Sequence, residues 1–279
     1  MNRYFVIGNP IGHSLSPQIH NYWFKKYKLK TSNYEKRKLE EKELEKFVRE
    51  IRDKSQSING VNVTVPYKKK IIPFLDELSN TSLPTQSVNT IFKKDGKLVG
   101  HNTDTTAFEE TLKQFFLDYK ERHILLIGAG GVAPSVLFAL CRLVGRYGKI
   151  YLMNRSKSKA IDLKKMGNTF NTFEPSNIEL LDWGKVPDVH LVINTTSIGL
   201  TNEENLGLDF TKYEKLKEKT LFYDLIYNPK ETNFIIDAKK RGNKIMNGKM
   251  MFLLQAKYAF QKWTGIDAEL DDEIIKIVD

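Results

Sequence analysis

Small polar and charged side chains crowd together at the points where short apolar runs end. The run 3–8 gives way to GNPIGHSLSPQIHN (8–21), which holds Ser14 and Ser16. NVTVPYK (62–68) supplies Asn62, Thr64 and Lys68. SVNT (87–90) supplies Asn89 and Thr90, and GHNTD (100–104) supplies Asn102, Thr103 and Asp104. Each cluster alone has a plain explanation as a turn, a helix cap or a solvated lysine. Together they are hydroxyls, amides, an ammonium and a carboxylate at strand ends, where open sheets bind ligands. That set suits a small polyhydroxylated molecule.

A second chemistry is written further along. HILLIGAGGVAPSV places Gly128, Gly130 and Gly131 after a buried strand and before a helix. Glycines in that context let backbone N–H groups approach a pyrophosphate at a helix N-terminus. The third glycine of G-x-G-x-x-G is replaced by Ala133, so a purely structural turn remains the competing explanation. The next strand ends YLMNRSKSK. An NAD site places an acidic residue there for the ribose 2′-hydroxyl. This chain instead offers Arg155 and Lys159, with Asn154 and Ser156, which suit a 2′-phosphate. The preference is therefore for NADP, against a merely basic exposed loop.

These groups need elements to hold them. RYFVIG (3–8) reads as a buried strand. Ser16 is a candidate N-cap with Pro17 at the first helical position, followed by Ile19, Trp23 and Tyr27 at helical spacing. Strands are expected at 32–39 and across VNVTV (61–65), with an amphipathic helix at 40–53. KKKIIPFLDEL (68–78) reads as a helix interrupted by Pro73, and 87–104 as a hairpin turning at KKDGK. A helix over 107–116 leads to a strand, glycine turn and helix over 123–143. Further continuous apolar strands follow at 149–156, 190–200 and 220–229. Such strands alternating with helices specify a parallel sheet covered on both faces. A helix at 233–242 and a strongly apolar one at 249–265 complete the pattern, the latter expected to return to the first domain. The reading is α/β throughout: an N-terminal α/β domain (1–106, completed by 247–279) and a Rossmann-type doubly wound domain (107–246).

The whole chain sets limits on function. Its 279 residues suffice for two domains, and 41% hydrophobic with 28% charged residues is a globular composition. The N-terminal apolar run is too short for a signal peptide, and no stretch reaches membrane-spanning length. The single cysteine, Cys141, excludes an intrachain disulfide and a cysteine-based zinc site. The five histidines lack ligand spacing, so no metal is expected. The expected compartment is a reducing cytoplasm. The net charge of +10 is spread over runs such as 25–30, 68–70 and 217–219. This points to a lysine-rich surface that attracts small anions, with no nucleic-acid or membrane partner.

Taken together, GNPIGHSLSPQIHN, NVTVPYK, SVNT, GHNTD, GAGG, NRSKSK, NTTSIG, YDLIYNP and Gly248 with FLLQA resemble the shikimate dehydrogenase family, over residues 5–265. The resemblance implies reversible reduction of 3-dehydroshikimate to shikimate by NADPH, on the route to aromatic amino acids. It makes 1–106 the substrate-binding domain and 107–246 the NADP-binding domain. Carried over by position, it implies Lys68 and Asp104 as the catalytic pair. Ser14, Ser16, Thr64, Asn89, Tyr227 and Gln255 would surround the substrate. Gly128, Ala129, Gly130, Gly131, Val132, Asn154, Arg155, Ser156, Lys159, Leu225 and Gly248 would line the cofactor.

The implied chemistry is physically coherent. Hydride transfer to a ketone builds negative charge on oxygen, which a nearby cation able to give a proton both stabilises and neutralises. Lysine can do both, with Asp104 orienting it; coupled groups titrate as a pair, so the residues alone do not say which carries the proton. Ser14 and Ser16 would hold the substrate carboxylate, helped by the positive end of the helix near Pro17. The sequence departs from the family pattern at Gln86 and Ser87, where Gly and Ala are usual, at Ala107 in place of Gly, and mildly at Ser156. Two rival readings exist. An NAD-using quinate/shikimate dehydrogenase is disfavoured by the missing acid after YLMN, and a catalytically silent regulator by the presence of both Lys68 and Asp104. A monomer and a homodimer are both compatible with the sequence.

Overall fold

The computed structural model describes residues 1–113, 122–144, 148–170, 177–201, 203–214 and 220–278. Residues 114–116 of the expected helix and the 217–219 charge run lie outside them. The chain forms two compact units: 1–107 with 253–279, and 108–252.

Unit 1 begins with β1 (Asn2–Gly8), α1 (Ser16–Lys26) and β2 (Ser32–Lys38). It continues through α2 (Leu44–Arg52), β3 (Ile58–Val63), β4 (Glu77–Leu78), α3 (Ser82–Thr85), β5 (Thr90–Lys94) and β6 (Lys97–His101), and leads into α4 (Thr103–Lys113). Its sheet runs β2-β1-β3-β5-β6-β4. β1 pairs in parallel with β2 and β3, while β5 is antiparallel to β3 and β6. β1 is buried on both faces because alternate side chains enter different layers. Phe5 and Ile7 pack with Phe47, Val48 and Ile51 of α2. Tyr4 meets Phe24 and Trp263 on the other side.

The reasons for the elements are local. Leu44, Phe47, Val48 and Ile51 are buried at helical spacing, each contributing roughly 1.5–3 kcal/mol of apolar burial. Glu40 and Glu43 form a capping box ahead of this helix. Asp95 and Gly96 adopt φ of +50° and +77°, the two-residue turn whose twist matches a hairpin.

Unit 2 holds β7 (His123–Ile127), α5 (Ala133–Val144), β8 (Lys149–Met153), α6 (Lys157–Gly167) and β9 (Asn177–Leu181). Then come β10 (Leu191–Asn194), β11 (Leu221–Asp224), α7 (Asn233–Lys240) and β12 (Lys244–Met246). Its sheet is entirely parallel, in the order β12-β11-β10-β7-β8-β9. Numbered from β7 this is 6-5-4-1-2-3, the doubly wound dinucleotide-binding order with its switch point between β7 and β10. The final helices are α8 (Lys249–Thr264) and α9 (Asp272–Ile277).

Several local expectations are corrected. Residues 68–78 form no α-helix: a turn leads to one 3₁₀ turn, Ile72–Phe74, and then β4. Pro73 sits within that turn, and its missing N–H and ring clash forbid a continuing helix. β3 ends at Val63, and ahead of Pro66 Thr64 and Val65 keep only backbone hydrogen bonds to Ile7 and Asn9, at 2.9 and 3.1 Å. The helix expected over 40–53 opens with a 3₁₀ turn, Glu41–Glu43. Ser16 is the first helical residue and Leu15 the cap, without a side-chain capping bond.

His20 of α1 is wholly buried, stacked on Tyr34 with centroids 4.4 Å apart and an interplanar angle of 10°. Neither ring nitrogen has a partner among the described residues. Burial pushes its pKa down to about 3. The unfolded chain therefore binds the proton more tightly, and stability falls as pH drops through the ordinary histidine range. Between about pH 7.5 and about pH 5, urea unfolding should show a loss of about 2 kcal/mol from this residue. His20→Leu should flatten that dependence; an unchanged slope would show that His20 is not its source.

Candidate active site

The polar strand ends of unit 1 converge on one ion pair. Lys68 lies in the turn after β3 and Asp104 in the first turn of α4. Lys68 Nζ donates to Asp104 Oδ2 at 2.6 Å, with side-chain exposures of only 15% and 8%. A pair so enclosed is far less screened than a surface pair, and removing one partner strands the other's charge. Asp104 Oδ1 accepts from Asn89 Nδ2 at 2.8 Å. The carboxylate is thus held from two sides. Asn102 Oδ1 accepts the Asp104 N–H at 3.0 Å, capping α4, and the negative charge sits favourably near that helix's positive end. The Lys68 carbonyl accepts from the Val88 N–H at 2.8 Å, tying its turn to the segment that carries Asn89.

The pair is joined to the start of α1 by a buried chain. Asn62 Nδ2 donates to the Asn89 carbonyl at 3.0 Å and to Thr90 Oγ1 at 3.2 Å, and Thr90 Oγ1 donates to Asn89 Oδ1 at 3.0 Å. Tyr34 Oη donates to Asn62 Oδ1 at 2.6 Å. Burial holds the Tyr34 phenol well above its ordinary pKa, with the hydrogen bond to Ser16 opposing the shift, so the ring stays neutral. Ser14 Oγ donates to Ser16 Oγ at 3.2 Å and accepts the Ser16 N–H at 3.3 Å. The Ser14 hydroxyl thus also organises the first turn of α1. Tyr34 escapes sequence reasoning because it lies mid-strand in SNYEKRK. Its one signal is an aromatic amid charged neighbours.

Thr64 is half-buried and packs over Gly8, where a Cβ would fall 2.5 Å from Thr64 Cγ2. This close approach lets the first loop lie against the second. Gln255 sits on α8 within unit 1. Tyr227 belongs to unit 2, stacked on Phe252 with centroids 4.3 Å apart.

Unit 2 carries the glycine turn and the strand end expected to meet phosphate. Gly128 follows β7 at φ +110°, and an added Cβ would lie 2.5 Å from Thr195 Oγ1. Only glycine fits there, at the switch point between β7 and β10. Added Cβ atoms at Gly130 and Gly131 would meet nothing within 4 Å, so this side of the turn is open, ahead of α5. Asn154 Oδ1 accepts from the Ala129 N–H at 3.2 Å, and its Nδ2 donates to the Ser156 carbonyl at 2.8 Å, joining the turn to the end of β8. Arg155 and Lys159 are exposed, and Ser156 and Val132 are partly so. Gly248 packs on Leu225, whose carbonyl oxygen occupies the space that a Cβ would need. An open glycine turn, a helix N-terminus and two exposed cations one strand away fit a phosphorylated dinucleotide.

The family model described as the shikimate dehydrogenase substrate binding domain matches residues 6–91. A shikimate dehydrogenase (NADP(+)) of Pelagibacter ubique is 46% identical over 276 residues, covering 99% of this chain and 98% of its own. The chain belongs to the shikimate dehydrogenase family. The shikimate 5-dehydrogenase of Thermus thermophilus, solved in complex with NADP(H) and shikimate, matches with TM-score 0.83 at 29% identity, covering 100% and 98% of the two chains. That of Listeria monocytogenes, solved with shikimate and NAD, matches with TM-score 0.86 at 28% identity, covering 99% and 95%.

The departures from the shikimate dehydrogenase pattern have distinct energetic consequences. Gln86 takes φ +47°, the left-handed region where glycine is at ease, at a cost on the order of 1 kcal/mol. Its Nε2 offsets part of this by donating to the Leu83 carbonyl at 2.7 Å. Ala107 is fully buried in α4, where alanine favours helix over glycine by about 1 kcal/mol. Ser87 is 3% exposed and its hydroxyl has no partner among the described residues. Desolvating a hydroxyl without a hydrogen bond is costly, so Ser87→Ala should raise stability by about 1 kcal/mol in urea unfolding with kcat unchanged. A destabilised variant would mean that the hydroxyl is satisfied in solution.

Proposed function

We propose that Lys68 and Asp104 are the catalytic pair for the reversible NADPH-dependent reduction of 3-dehydroshikimate to shikimate, in aromatic amino acid (chorismate) biosynthesis. The chain is an oxidoreductase of the shikimate dehydrogenase family, and its cofactor is NADP. The observation that carries the assignment of the pair is the enclosed 2.6 Å contact between Lys68 and Asp104, braced by Asn89. In this reading unit 1 binds the substrate and unit 2 the dinucleotide.

When bound, NADPH supplies the hydride. Lys68 meets the negative charge that develops on the carbonyl oxygen and delivers a proton from Nζ to it, giving the alcohol. Asp104 keeps Nζ aimed and accepts a substrate hydroxyl. In the oxidising direction the neutral amine takes the hydroxyl proton back. Ser14 and Ser16 hold the carboxylate at the start of α1, and the Tyr34–Asn62 chain fixes their position relative to the pair. Thr64, Asn89, Gln255 and Tyr227 contact the substrate. Gly128 to Val132 hold the pyrophosphate, Asn154, Arg155, Ser156 and Lys159 the 2′-phosphate, and Leu225 and Gly248 line the dinucleotide. The reading is of a cytoplasmic protein, consistent with its one cysteine, Cys141, being a buried free thiol, and of a monomer or homodimer.

Three measurements test this. Lys68→Ala should lose about 10²-fold or more in kcat while shikimate and NADP still bind; normal turnover in the variant, or none in the wild type, overturns the assignment. With shikimate as substrate, kcat/KM should favour NADP over NAD. Arg155→Ala should raise the KM for NADP by roughly tenfold or more while leaving NAD little affected, as expected for loss of a charged hydrogen bond to phosphate. Equal effects on both cofactors would show that Arg155 does not read the 2′-phosphate.

A further inference from the structure

Asp224 ends β11 with no exposed surface, yet nothing in the proton chemistry of Lys68 and Asp104 uses it. Its Oδ1 accepts from Asn194 Nδ2 and from the Ile226 N–H, both at 3.1 Å, and its Oδ2 accepts from the Thr232 hydroxyl at 2.6 Å. These donors come from three segments. Asn194 ends the neighbouring strand β10, and its own Oδ1 accepts from the N–H and hydroxyl of Thr196 at 3.0 and 2.7 Å. Ile226 lies in the loop leaving β11. Thr232 caps α7, accepting the Ile235 N–H.

Both loops fastened in this way abut dinucleotide positions. Thr195 and Thr196 are the residues against which Gly128 packs, with atoms 2.5 and 2.9 Å from an added Cβ. Leu225 presents its carbonyl to Gly248, whose N–H donates to the Ile226 carbonyl at 3.0 Å. We propose that Asp224 is a positioning residue for NADP, clamping the Thr195–Thr196 and Leu225–Tyr227 segments in the register that the dinucleotide needs. This rests on the reading that unit 2 holds NADP at Gly128 to Val132 and Leu225. A carboxylate serves because it is acceptor-only and can take three donors at once. It is a poor choice for stability: burial pushes it up to about 6, opposed by the three hydrogen bonds. With the folded pKa raised, stability is fullest below the ordinary carboxyl range and is lost as pH rises through about 6.

The test compares Asp224→Ala and Asp224→Asn with the wild type by NADP titration without shikimate, by KM for each substrate, and by thermal unfolding above pH 6. Asp224→Ala should raise the NADP dissociation constant and KM about tenfold, with the KM for shikimate little changed. Asp224→Asn keeps acceptor and donor atoms in place if the Thr232 hydroxyl reverses, so it should recover most of that loss and unfold no earlier than the wild type. NADP binding unchanged in both variants, or a loss that tracks unfolding temperature and affects shikimate equally, overturns the proposal. Should Asp224→Ala fail to fold, Thr232→Val takes its place: weaker NADP binding supports the clamp and unchanged binding overturns it. Absence of turnover in the wild type would sink the catalytic reading instead, and the titration would still report on Asp224.

Discussion

The enclosed contact between an ammonium and a carboxylate is the constraint around which unit 1 is arranged. Burying two charges is unfavourable unless each is paired and its remaining hydrogen-bonding capacity is met. Asn89 meets that demand at Asp104, Asn102 caps the helix that carries Asp104, and the Val88 N–H fixes the turn that carries Lys68. The polar groups around the pair are therefore neither loose loop residues nor simple caps. They form one network whose members hold one another, reaching through Asn62 and Tyr34 to Ser16 at the start of α1 and on to Ser14. A network of this kind sets geometry because moving Tyr34, Asn62 or Asn89 would leave a buried polar atom unsatisfied.

The all-parallel sheet of unit 2 solves a different problem. It leaves the glycine turn open at the strand ends while the strands themselves are sealed on both faces. Sealing comes from the apolar runs of β7, β10 and β11, all of which are buried. Opening comes from the glycine turn, where Gly128 is pressed against Thr195 while Gly130 and Gly131 face free space. The buried Asp224 stands where these demands meet: it costs stability, and it fastens the loops that border the opening.

Much of this was legible in the residues. Continuous apolar strands, the hairpin at Asp95–Gly96 and the glycine turn are local signals, each depending on a few neighbouring residues. Where local signals mislead, a neighbouring constraint overrides them. The 68–78 segment has helix-forming lysines and apolar residues, but Pro73 and the following β4 take the backbone elsewhere. Ser16 resembles a cap because serine before proline usually is one; here the hydroxyl of Ser14 does that organising and Leu15 occupies the cap.

The amino-acid sequence by itself determined the α/β class, the parallel character of the second sheet, the choice of NADP as cofactor, and the cast of polar residues at the strand ends. It did not determine how that cast is joined. Lys68 and Asp104 are 36 residues apart, Tyr34 and Asn62 are 28 apart, and Asn194 and Asp224 are 30 apart. Such contacts exist only because β5 is placed between β3 and β6, β1 between β2 and β3, and β10 beside β11. Strand order is a property of the whole chain, reached by the burial of both faces of each sheet at once. Only the tertiary structure could therefore show that a mid-strand tyrosine belongs to the network around Lys68 and Asp104, and that a buried aspartate binds three segments together.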